Sequence, residues 1–257
     1  MLMQAFFIKL HERNKLLFWF GFYSFFLSLV CFVLALFDSE VILGAGRYIK
    51  PLKYYLAIVI TSWTMAIILH YLNSKPLRTI VSIIIALTLF GESSIILLQS
   101  IRVVASHYNT STPFNKFMYD LMISCMVIFT VTIFVLTILF YNQKKMACSQ
   151  HFATGIRMGL LLYSVFSIIG FIMIRNMSHT IGGQDGGEGL LFFNWSIKYG
   201  DLRISHMMGV HVLQIIPLLS YYVFKKKNKV LFFSFCYFLL VLAITIISCM
   251  KMPLISY

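Results

Sequence analysis

Acid is scarce in this sequence. Eight Asp and Glu stand against 21 Lys and Arg in 257 residues, and charged residues of both signs make up only 11%. A soluble domain of this size carries about 25%. With 60% of its residues hydrophobic, the chain is not an ordinary water-soluble globule, and its composition points to lipid. Long polar stretches are missing as well. A net charge of +13 would elsewhere suggest a nucleic-acid partner. Here no loop is long enough to fold as a nucleic-acid module, so none is expected. Lys and Arg in short loops serve instead to orient membrane helices.

Paired cysteines are also lacking. Cys31, Cys125, Cys148, Cys236 and Cys249 are scattered, with no CxxC pair and no metal-ligand spacing. Three of them fall inside apolar runs, where Cys behaves as a small hydrophobe. The leader "MLMQAFFIKLHERNK" has the basic start of a signal peptide. The apolar run behind it is about twice too long for one, and no A-x-A site follows. The reading is a retained first membrane helix. No internal repeat is evident, so an inverted-repeat transporter is not argued.

What is present is a series of apolar runs. About 20 apolar residues are needed to cross a bilayer. Seven stretches qualify, at roughly 16–37, 52–72, 79–101, 118–141, 156–175, 204–224 and 230–250. The expected fold class is an all-α polytopic membrane protein, a single domain over residues 1–257. Placing the N-terminus in the cytoplasm puts 12 of the 21 basic residues inside, including those of "KKKNK", and the C-terminus outside. The unusual polar chemistry then falls on the extracytoplasmic side, in "RVVASHYNTSTPFNK", in the long 176–203 connection with its "GGQDGG", and at "GDLRISHMMGVHVLQIIP". The glycine-rich stretch suits a flexible lid or hinge. N-x-S/T sequons at Asn109, Asn176 and Asn194 share that side, and matter only in a glycosylating pathway.

Two spans carry polar stripes. In the sixth, Arg203, His206 and Gln214, with His211 at the edge, fall on one helical arc. Leu202, Met208, Val212, Ile215, Ile216 and Leu219 fall opposite. The polar arc is expected to face the bundle and the apolar one lipid. In the third span Thr88, Glu92 and Gln99 share a face that continues to Arg102 and Ser106. Glu92 lies about midway along it. An ionised carboxylate there is costly, so it needs a partner, water or a proton.

These residues suggest several chemistries. His107, His206 and His211 form a candidate metal set, since metal sites are built from His, Cys and carboxylates. The spacing argues against a simple zinc pair. His206 and His211 are five residues apart and project about 140° from each other at about 100° per residue. Haem b, which needs two axial His, is a weaker candidate cofactor; His70 is expected at the opposite membrane face from His211. Without a metal, His206 is a candidate base, with Asp201 or Glu92 setting its tautomer and Arg203 holding an anionic substrate or lipid. Glu92, Gln99, Arg102, Asn109 and Gln214 are candidate ligand-binding residues. Glu92 and Arg203 in particular suit a small-molecule or proton-coupled transporter or receptor. A structural assembly role is a further alternative. His11 and His151 read as surface groups, and His179 in the outer loop stays open.

"IKPLKYYLAIVITSW", "QSIRVVASHYNTSTPFN" and "GDLRISHMMGVHVLQIIPLL", with the terminal "MKMPL", resemble an uncharacterised family of bacterial seven-span membrane proteins. The resemblance implies a bacterial cytoplasmic membrane and directs attention to Lys53 and to the third- and sixth-span residues already named. It supplies no reaction. Where similar proteins would carry Gly after Arg102, this chain has Val103 and Val104.

Overall fold

Lipid offers no water to backbone N–H and C=O groups, so each apolar stretch must close its hydrogen bonds internally. The computed structural model, which describes residues 2–190 and 192–255, is accordingly all-α. Seven helical stretches among the described residues are long and apolar enough to cross a membrane. This is a multi-pass membrane protein. The chain divides into two compact units, Met1–Glu40 with Gly46–Cys148 and Val41–Ala45 with Ser149–Tyr257.

The first unit holds α1 (Leu2–Arg13), α2 (Lys15–Phe37), α3 (Ile49–His70), α4 (Lys75–Ile101) and α5 (Pro113–Asn142). Of these, α4 and α5 begin earlier than hydropathy suggests, because polar caps and prolines start them. The hydroxyls of Ser74 and Thr112 accept from Leu77 N and Asn115 N, with a proline in each first turn. The leader is helical too. Its α1 is too short to span a bilayer. It packs Phe7 against Phe18, Phe22 and Trp63 of α2 and α3. Asn14 separates it from α2: its side chain caps Leu17 N and donates to Ser82 Oγ at 2.6 Å. The two-residue strands β1 (Val41–Ile42) and β2 (Ala45–Gly46) pair in the turn after α2.

The second unit holds α6 (Gln150–Phe166), α7 (Ile168–Asn176), α8 (Leu202–Tyr222) and α9 (Lys227–Cys249). The first two run together as one membrane-length stretch. Between α7 and α8, β3 (Thr180–Ile181) pairs antiparallel with β4 (Gly200–Asp201), Thr180 opposite Asp201. Burial on α8 does not follow the expected division into a polar buried face and an apolar lipid face. Leu202, Ser205, Gly209, Val212, Ile216 and Ser220 are buried, while Arg203, His206, His211 and Gln214 remain half-buried. Packing explains the difference. Membrane helices pack through small residues that let backbones approach. A Cβ on Gly155 of α6 would come within 1.9 Å of Ser220 Oγ, and one on Gly159 within 3.1 Å of Pro217. The small and apolar stripe is therefore the helix–helix seam.

Candidate functional site

Each unit holds a network of the polar residues singled out in the sequence. In the first unit, α3 and α4 run antiparallel, so the start of α3 lies beside the end of α4 and the 102–112 turn. Glu92 is nine residues from the end of α4, about 14 Å into the span at about 1.5 Å per residue. It is half-buried, hydrogen-bonds Tyr54 of α3, and feels the Lys50 ammonium electrostatically. Tyr54 packs against an apolar cluster of Ile95, Ile96, Tyr119 and Met122. Lys50 and Tyr54 are four residues apart and so share one face of α3. Lys50 Nζ lies 3.0 Å from His107 Nδ1, and Ser106 Oγ approaches the same nitrogen at 3.0 Å. An ammonium only donates. While Lys50 is charged, His107 therefore accepts at Nδ1 and carries its proton on Nε2.

Next to this line is a second cluster. Arg102 donates to Gln99 Oε1 at 2.5 Å and Asn115 Oδ1 at 2.7 Å, and its guanidinium lies 4.5 Å from the centre of the Phe114 ring. Gln99 and Asn115 are buried and bonded to each other. Asn109 closes its own turn, donating to Ala105 O and accepting from Ser111. These contacts fix where the turn leaves α4. Val103 N–H reaches Ser100 O and Val104 N–H reaches Gln99 O, a Schellman end with Val103 at φ 56°. The turn that favours Gly is thus made with a β-branched residue, an uncommon and strained arrangement.

In the second unit the carboxylates hold the long connection together. Asp201 is buried. It accepts from Ser196 N, from Arg203 N and from the Arg203 guanidinium at 2.6–3.1 Å. Arg203 also donates to Asn194 O. Asp201 O accepts from Ser248 of α9. Asp185 accepts from the backbone N–H of His179 and Thr180, from Ser178 Oγ, and from His179 Nδ1 at 2.7 Å. Burial opposes ionisation of Asp185. The hydrogen bonds and the His179 charge outweigh it and hold the carboxyl well below the usual carboxylate range. The stretch expected as a flexible lid is therefore pinned from within, because Asp185 in "GGQDGG" gathers donors from the chain before it.

The expected chemistry of α8 changes accordingly. Asp201 is committed to Arg203 and the loop backbone rather than to His206. His211 Nδ1 lies 3.3 Å from Gln214 Oε1. His206 keeps a buried Nδ1 without a hydrogen-bond partner. Among the described residues, no group of three or more His, Cys, Asp or Glu side chains could hold a metal ion. Of the candidate metal set, His107 lies against Lys50 and Ser106, and His211 against Gln214.

No relative decides the matter. Comparison with family models, curated proteins and solved structures finds no match. The site residues therefore rest on their own geometry. Sequence reasoning missed Lys50 and Tyr54, which read as the ordinary basic and aromatic residues at a span's edge. Their four-residue spacing, opposite a mid-span acid on the next helix, was the available signal. It also left His179 open, although "HTIGGQD" places an acid six residues on.

Proposed function

We propose that this chain is a transporter of the bacterial cytoplasmic membrane in which Glu92 carries a proton. The observation that supports it is the contact of Glu92, inside a membrane span, with Tyr54 of α3 and within reach of the Lys50 charge. Ionisable side chains inside membrane spans are costly and mark ion and proton pathways. Glu92 has what such a group needs: a hydrogen-bond partner, a nearby counter-charge, and apolar packing beside them that strengthens electrostatic interaction. By contrast, Asp201, Arg203 and Asp185 are engaged in loop contacts, which leaves less for an acid–base enzyme at α8. Among the described residues no group of three metal-ligating side chains is assembled, and Arg203 serves here as the loop's clasp.

A direct test is infrared spectroscopy of the full chain in lipid across the neutral pH range. A protonated-carboxyl band that titrates reversibly and is lost in Glu92→Gln is expected. A spectrum without a pH-dependent band that the substitution removes counts against Glu92 as a proton carrier.

A further inference from the structure

Building on this reading of Glu92, we infer that its proton arrives from the turn after α4 by a relay through His107, Lys50 and Tyr54. The four side chains descend in order. His107 sits in the turn, Lys50 one residue into α3, Tyr54 one helical turn further, and Glu92 on the facing helix. Two of the three neighbouring pairs are hydrogen-bonded, and the third shares one helix face. His107 and Lys50 are 3.0 Å apart, Lys50 and Tyr54 share a face of α3, and Tyr54 hydrogen-bonds Glu92. The titratable groups beside the line include Lys50 and Tyr54 from α3, Glu92 from α4, Tyr108 from the turn, and from α5 Tyr119 and Cys125, the latter feeling the Glu92 charge.

The chemistry conserves one proton. In the resting arrangement Lys50 is an ammonium, His107 is neutral and Glu92 is a carboxylate. Lys50 gives a proton towards Tyr54, whose hydroxyl passes its own proton to Glu92 and takes the new one. Lys50 is then a neutral amine and Glu92 a carboxylic acid. A proton from the aqueous side binds His107 at Nδ1, which the amine no longer occupies as donor, and moves 3.0 Å to Lys50 Nζ. His107 is neutral again. The net event is one proton moved from water to Glu92, with no other co-reactant. The 3.0 Å contact has room for only one shared proton. Charging both partners would set two donors against each other, so His107 cannot hold a proton until Lys50 has passed one on.

The test follows the Glu92 carboxyl band after a rapid drop in pH, using the full chain in lipid. In the wild type the band rises quickly. In Lys50→Met and in His107→Gln its rate is expected to fall on the order of a hundredfold, the lower range for loss of a positioned proton donor. Its final amplitude should stay close to that of the wild type. His107→Gln keeps an acceptor for Lys50 but cannot be protonated, so it separates relay from mere positioning. Tyr54→Phe serves as a further variant if Lys50→Met fails to fold. Unchanged rates in folded variants overturn the relay while leaving Glu92 as the carrier. Absence of any band assigned by Glu92→Gln overturns the reading on which the relay rests.

Discussion

Asp185 shows how a single carboxylate can decide the behaviour of a glycine-rich loop. Its four donors are backbone and side-chain groups of residues 178–180. Its folded value lies below its unfolded one. The stabilisation is therefore fully present above the unfolded carboxylate value of about 4 and is lost as pH falls through the lower, folded value. The loop amides of residues 178–188 are expected to stay protected from hydrogen exchange from neutral pH down to about 4. Asp185→Ala should expose them at neutral pH. Equal protection in the variant would mean that the strands and the Asp201 clasp hold the loop unaided. Composition alone could not reveal this. Glycine signals backbone freedom, and the restraint comes from one acid whose partners only the folded chain brings together. Glu92 was more legible, because an acid in mid-span is conspicuous in any apolar run. Its partners Lys50 and Tyr54 were not, since residues of their types are common at the ends of membrane helices.

At the scale of elements, hydropathy located all seven spans; α4 and α5 start early at a capping hydroxyl and a proline, whereas α6 and α9 start early without a capping bond. The faces were harder to read. On α4 the polar stripe and the packed face partly coincide, with Thr88 and Gln99 buried. On α8 they separate, because the seam against α6 is made by Gly, Ser, Val and Ile. Polarity marks where a helix avoids lipid only when no smaller surface competes for the contact. The α6–α8 seam makes a specific prediction. Gly155→Ala should destabilise the protein by about 2 kcal/mol through overpacking, because its Cβ would lie 2.6 Å from Ser220 Cβ. Adding Ser220→Gly should restore most of the loss. Thermal unfolding in detergent across this double-mutant cycle would show no coupling if the two helices were not in contact at that level.

At the scale of the molecule, the polar side chains of spans three and six each find partners within their own unit. The reading of one shared site rested on counting histidines at one expected membrane level. Side-chain partners are set by helix rotation and by which neighbours each turn meets, and neither can be read from depth alone. The residues that survive as functional candidates are those whose chemistry is unexplained by holding loops in place. They are Glu92, Tyr54, Lys50 and His107 in the first unit, and His206 with its unpartnered nitrogen in the second.

The central claim is that protons pass through the first unit by way of Glu92. Proteoliposomes loaded with a pH-sensitive dye and driven by an imposed inside-negative potential test it most directly. The wild-type chain is expected to acidify the lumen faster than protein-free vesicles, and Glu92→Gln to return the rate to the protein-free level. Equal acidification by folded wild-type and Glu92→Gln protein would contradict it.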